Sequence, residues 1–329
     1  MANWPEALEI CRAIRAGFWY GSGMNNTNPY TPSRITQPIR MVRKRSRRGS
    51  LGWLLFGCLM LPVFCCGLSL LTYLIFPPQP LDVLVLGVDG REGEGYVSRT
   101  DSVMLIGVVP RQLRVSMLSI PRDLFVDTPG YGRQRVNTVN VLGEQEQLGG
   151  GPILVGAAMQ QTFGVGVDRY VRLDFDGFVK LVDAVGGITI DVERRIVDTL
   201  YPTGDGGVMT VQFETGVQEM DGERALIYAR TRQADDDYFR AGRQQQVVSA
   251  LFAKLVNPLR WPAAWAAVSQ AVDTNLSVFD ALAIAPPILL NRGRYEQLVI
   301  NRDYITGTAD GHAIPNLELV LPWLQERFH

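Results

Sequence analysis

The sequence predicts an α/β protein, an α–β–α sandwich around a central mixed sheet, preceded by one transmembrane helix. Three observations predict it. Residues 81–123 hold three short runs rich in Val, Leu and Ile (81–88, 102–109 and 113–120), each of strand rather than helix length. Past residue 150, strand-like and helix-like segments alternate, as in a layered α/β fold. Ahead of both, residues 51–76 carry no charge and exceed the roughly 20 apolar residues that a bilayer core needs as helix.

The first 50 residues read as a basic cytoplasmic tail. Trp4, Leu8, Cys11, Ile14 and Phe18 fall at helical spacing, but Gly, Asn, Thr and Pro through 21–38 favour a loosely ordered segment. A basic cluster at 40–48 abuts the apolar run of 51–76, which predicts a single-pass span with its N-terminus in the cytoplasm and the rest outside. Pro77 and Pro78 end the span. Of the 32 Lys+Arg and 33 Asp+Glu, nine basic and two acidic residues precede residue 80, leaving 23 and 31 beyond it, a net charge of −8. So acidic a region is a poor binder of nucleic acid, and no nucleic-acid partner is expected. No cysteine follows Cys66, and the only histidines are His312 and His329. Thiol catalysis, a Cys-ligated zinc and a Ser–His–Asp triad are thereby excluded for the main domain.

Residues 80–256 are expected to form the main domain, with 257–329 packing on it. A short turn at Pro110–Gln112 makes the second and third runs antiparallel neighbours. Pairing of the first two through the Gly-rich loop 89–98 brings Asp89, Arg91, Arg99, Asp101, Arg122 and Asp123 to one sheet edge. That loop, GVDGREGEG, lacks a Walker lysine and the G-x-G-x-x-G spacing, so it is not a nucleotide site. Residues 152–163 read as helix and 169–173 as a strand. Asp174 caps a helix that stops at Gly186-Gly187, and 188–192 is another strand. Residues 198–210 read as loop. A short helix starts at Asp221-Gly222 and ends near Arg230.

A second basic constellation follows. Arg240, Arg243, Gln244, Val247 and Leu251 share one helical stripe, which its apolar members turn toward the core. Buried arginines there need acidic partners, with Asp235, Asp236 and Asp237 at hand, or a bound anion. The anion is favoured by the dominance of arginine. Arg91, Arg99, Arg122, Arg230, Arg232, Arg240 and Arg243 fall in two short stretches, while Lys180 and Lys254 are the only lysines past the tail. The guanidinium fork suits phosphate oxygens. Asp89 and Asp101, at the two ends of one loop, are candidate ligands for Mg²⁺, which takes one or two carboxylates with phosphate oxygens.

The motifs LGVDGR (86–91), RTDS (99–102), SIPRD (119–123), RLDFDGFVKLVDAVGG (172–187), DGERALIYARTR (221–232) and RAGRQQ (240–245), in this order, resemble those of the LytR–CpsA–Psr family of membrane-anchored envelope proteins. The resemblance covers residues 80–329. It implies a glycopolymer transferase that takes a polyprenyl-diphosphate-linked glycan and transfers the glycan phosphate to a peptidoglycan sugar hydroxyl. By motif match, Asp89 and Asp101 would hold Mg²⁺ (or Mn²⁺). Arg99, Arg122, Arg230, Arg232, Arg240 and Gln244 would cradle the diphosphate, with Arg91, Lys180 and Arg243 further out. Asp101, Arg99 and Arg122 would carry the chemistry, with Asp123 or Asp101 taking the proton. Two departures are visible: Arg135-Val136 stands before Asn137 where the family usually has Lys-Ile, and RTDS replaces RSDT. Alternative readings of the same site are a polyprenyl-diphosphate hydrolase or a non-catalytic envelope sensor that binds the lipid.

Overall fold

The computed structural model describes residues 48–89, 96–203, 206–231, 237–291, 295–307 and 312–328. The chain divides into two compact units, Met1–Leu61 and Pro62–His329. Helix α1 (Arg48–Ile75) begins in the first and ends in the second. Its segment Phe56–Ile75 is long and apolar enough to cross a membrane and is wholly unburied. The expected amphipathic segment 4–18, and the basic cluster up to residue 47, lie outside the described residues.

In the second unit β1 (Leu81–Val88), β2 (Thr100–Val109) and β3 (Arg114–Ile120) form an antiparallel meander. The turn between β2 and β3 is the 3₁₀ segment Pro110–Gln112, closed by Leu113 in the left-handed region at φ 51°. A hairpin of β4 (Phe125–Thr128) and β5 (Gly132–Arg135) leads into α2 (Val136–Glu146) and α3 (Gly150–Phe163). Strand β6 (Arg169–Leu173) lies parallel to β1, and α4 (Phe175–Ala184) follows it. Asp174 caps α4 by accepting the Gly177 N–H, and Gly186 and Gly187 both take positive φ just past its end.

Next come β7 (Ile188–Val192), the hairpin β8 (Ile196–Pro202) and β9 (Val208–Phe213), and β10 (Gly216–Met220), which pairs with β7. The expectation of a loop over 198–210 is therefore corrected: most of it is β-hairpin. Asp198 and Tyr201 are buried inward residues of β8, so its strand character comes from side chains that do not read as an apolar run. Helices α5 (Gly222–Arg230), α6 (Asp237–Leu255) and α7 (Trp261–Ala271) precede β11 (Asp273–Thr274), α8 (Val278–Asn291) and β12 (Glu296–Val299). A small hairpin of β13 (Ile305–Gly307) and β14 (Ala313–Pro315) and helix α9 (Leu317–Arg327) end the fold.

The central sheet runs β11-β6-β1-β2-β3-β12 and is mixed. Side chains alternate across it. Leu84, Leu86, Val103, Leu105, Leu118 and Ile120 face α2, α3 and α9, while Val83, Met104, Ile106, Val115 and Met117 face α6 and α8. A third cluster joins α4, α5 and α6 to the β7–β10 region. The sheet is thus covered on both faces, as its near-continuous apolar strands require.

Candidate active site

Strand directions decide what meets at the edge. The register pairs Gly87 with Ser102 and Val103 with Ile120, so the end of β1, the start of β2 and the end of β3 coincide. Asp89 continues the ladder by donating its N–H to the Arg99 carbonyl (3.2 Å). The next pair after Gly87–Ser102 is Val88–Thr100, which leaves Asp101 as the extra residue of a β-bulge. Such a bulge re-aims a side chain at the rim of a sheet. Here Thr100 is fully buried, whereas Asp101 accepts from Arg122 Nη1 at 3.0 Å. Arg122 Nε lies 3.6 Å from Asp123 Oδ2.

Beside this pair is a cavity of about 310 Å³ lined by Asp89, Arg99, Asp101, Arg122, Asp123, Arg135, Asn137 and Thr138. Its second wall is the first turn of α2, fastened to the end of β3 by the Val136 N–H to the Leu124 carbonyl and the Asn137 N–H to the Arg122 carbonyl. Asn137 is 8 % exposed and its Oδ1 has no hydrogen-bond donor among the described residues. The three guanidiniums of this lining offer forks that suit a compact, multiply charged anion, and the three carboxylates balance their charge. Two carboxylates with phosphate oxygens also fit a hard divalent cation. No three His, Cys, Asp or Glu side chains group into a protein-only metal site among the described residues.

Of the expected residues, the structure brings Asp89, Arg99, Asp101, Arg122 and Asp123 to this cavity. The α6 stripe is attached one residue away, where Ser102 Oγ donates to Gln244 Oε1 at 2.9 Å. Arg240 and Arg243 are buried on that helix. Arg243 donates to the Tyr228 and Thr231 carbonyls, so its guanidinium closes the C-terminal end of α5. Arg230 lies 3.9 Å above the Phe175 ring and donates to Tyr201 Oη at 3.3 Å. Burial raises the Tyr201 pKa above its ordinary value against the opposing pull of Arg230. Lys180 is on the exposed side of α4 and does not line the cavity. Arg91 and Arg232 lie outside the described residues.

One residue that positions the site carried no role in the sequence reading. Arg172, in β6, is 2 % exposed and binds Asp273 (2.6 Å), Asn140 (3.0 Å) and Glu144 (2.5 Å). Asn140 in turn donates to the Tyr96 and Ser98 carbonyls, and the guanidinium stacks 4.2 Å over Tyr96. The segment leading into Arg99 is thereby tied to α2 and β6. Burial would raise the Glu144 pKa, but hydrogen bonds from Arg172 and the Gly149 and Gly151 amides outweigh it and hold the carboxyl below its ordinary range. An arginine inside the strand RYVRL was the available signal, since a buried guanidinium demands partners.

The structure thus defines a class of α/β sandwich with an arginine- and aspartate-lined cavity at one edge of its central sheet. The LytR_cpsA_psr family model matches residues 77–311, and the chain belongs to that family. It is 34% identical over 172 residues to the polyisoprenyl-teichoic acid–peptidoglycan teichoic acid transferase TagU of Oceanobacillus iheyensis, covering 52% of this chain and 50% of that one. It is 31% identical over 215 residues to the Bacillus subtilis transferase TagT, covering 62% of each. The chain thus spans about half to three-fifths of the length of these curated relatives. Similar solved structures are B. subtilis TagV (TM-score 0.62, 26% identity, 76% of this chain and 97% of that one) and TagT bound to LIIa-WTA (0.57, 26%, 76% and 91%).

Proposed function

We propose that the chain is a membrane-anchored transferase that moves a glycan phosphate from a polyprenyl-diphosphate carrier to a peptidoglycan sugar hydroxyl. The observation that carries this reading is the cavity of about 310 Å³ in which Arg122, pinned by Asp101, meets Arg99, Arg135 and Asp89. The names of TagU and TagT describe such a transfer of teichoic acid, and the apolar helix ahead of the domain suits a lipid-borne substrate.

In this reading Arg99 and Arg122 hold the diphosphate. Arg230, Arg232, Arg240 and Gln244 extend the cradle, with Arg91, Lys180 and Arg243 further out. The acceptor hydroxyl attacks the glycan-side phosphorus, the bond to the polyprenyl phosphate breaks, and that monophosphate leaves. The hydroxyl proton passes to Asp101 or Asp123. Asp89 and Asp101 would hold Mg²⁺ (or Mn²⁺), which, when bound, would neutralise charge on the transferred phosphoryl group. Asn137 Oδ1, buried against the cavity without a donor among the described residues, is positioned to accept from a sugar hydroxyl of the incoming acceptor, since an unmet buried acceptor is costly.

The test supplies the reconstituted chain with polyprenyl-diphosphate-linked glycan and peptidoglycan oligomers. Glycan joined to the oligomers, with polyprenyl monophosphate released in equal amount, is the expected result. Glycan phosphate released to water would favour the hydrolase. Binding without turnover would favour a sensor, a role that the name of a Staphylococcus aureus relative, regulatory protein MsrR, keeps in view.

A further inference from the structure

Helix α8 reads VFDALAIAPPILLN. One side, with Ile284 and Ile288, packs on the sheet beside Val83 and Met117. The opposite side carries Val278, Leu282 and Leu290 at i, i+4 and i+12, with Phe279 beside them, 82 % exposed. The only charged residue, Asp280, is paired with Arg169 (2.8 Å) at the start of β6. A helix apolar all round is ordinarily buried in protein or in lipid, and a contiguous exposed apolar patch marks an interaction surface.

Its attachment indicates what covers that side. Tyr73 Oη donates to the Ala283 carbonyl at 2.9 Å. Tyr73 stands two residues before the end of α1 at Ile75, about 3 Å along the helix axis. Tyrosines at the end of a span sit at the membrane–water boundary. A backbone carbonyl of α8 is therefore held at that depth, and Phe76, directly after the end of α1, is exposed. Between the two helices lies a cleft of about 540 Å³ walled by Pro78, Pro80, Arg169 and Phe279 among others.

The geometry points to α8 as a second membrane contact, its outer stripe lying in the headgroup–acyl boundary of the bilayer that α1 crosses. With 14 residues it is too short to span. It differs from a free interfacial helix in that the sheet replaces water on its inner side. Two attachments, α1 and α8, then fix the tilt of the sheet over the membrane instead of leaving the domain to swivel. The inference rests on reading α1 as a span.

The test uses the full chain with Cys11→Ser, Cys58→Ser, Cys65→Ser and Cys66→Ser, and one added cysteine at a time: Phe279→Cys, Leu282→Cys, Val63→Cys in the span, or Ile153→Cys at an exposed position of α3. Each is labelled with an environment-sensitive fluorophore and reconstituted into phosphatidylcholine–phosphatidylglycerol vesicles containing nitroxide-labelled lipid. Labels at 279 and 282 are expected to be quenched several-fold more than at 153, approaching the quenching at 63. Quenching at 63 but not at 279 and 282 overturns the proposal and leaves the anchor intact. No quenching at 63 overturns the anchor itself. Protection at 279 and 282 that lipid nitroxides do not reach, and that is lost as protein is diluted at constant lipid, overturns the proposal in favour of a second copy of the chain.

Discussion

At the scale of single residues, the site depends on one irregularity. The bulge at Asp101 turns that carboxylate toward Arg122 while its neighbours Thr100 and Ser102 are, respectively, buried and bonded to Gln244. Asp101→Asn keeps the shape and removes the charge. We expect the Mg²⁺ concentration for half-maximal transfer to rise at least about tenfold, equivalent to ~1.4 kcal/mol. A metal titration of turnover checks this, and an unchanged midpoint would remove Asp101 from the metal site. Asn137→Ala is expected to slow transfer to the acceptor while leaving the thermal midpoint within about 2 °C, because Oδ1 gives up no bond to any described residue. Measuring KM for the oligomer beside a melting curve separates the two effects.

At the scale of elements, the buried Arg172 network joins β6, β11 and α2. Removing one partner of a buried ion pair strands the other, at about 3–5 kcal/mol. Arg172→Met should therefore lower the melting temperature by roughly 10 °C and loosen the segment that carries Arg99. A melting curve unchanged by Arg172→Met would show the network to be dispensable. The Glu144 carboxyl is depressed below its ordinary value of 4.5 in the folded state. Its contribution is therefore present above that value and is lost as pH falls through the lower folded one. Wild type should lose stability faster than Glu144→Gln on acidification below about pH 4.5, read by denaturant unfolding at stepped pH. Helices α2 and α3 meet through glycine: a Cβ on Gly151 would collide with Asn140 Oδ1 and press on Arg172 Nη1. Gly151→Ala should reproduce part of the Arg172→Met loss.

Elements were legible where pattern and boundary signals agreed. β1 and β6 match the expected runs, and α4 begins at its Asp174 cap and stops before Gly186-Gly187. The β8–β9 hairpin was not legible, because β9 is mostly exposed and β8 buries Asp198 and Tyr201 instead of an apolar alternation. Of the site, the sheet-edge group could be read because strand directions alone bring it together. The bulge could not be read because it is a local slip in the β1–β2 register; Arg135 and Asn137 showed only as a motif, and their place in the α2 wall, like the Arg172 hub, depends on contacts between segments distant in sequence.

At the scale of the whole molecule, an apolar helix precedes a sandwich whose active edge collects charge from β1, β2, β3 and α2. The central claim is that this edge binds a lipid-borne diphosphate. Calorimetric titration of a short-chain polyprenyl diphosphate into the detergent-solubilised full chain, with Mg²⁺, tests it most directly when wild type is run beside Arg122→Ala. The account predicts saturable binding by wild type and an affinity at least about thirtyfold weaker in the variant, the ~2 kcal/mol expected for lost charge-assisted hydrogen bonds, with the melting temperature of both nearly equal. Equal affinity in the two proteins would contradict it.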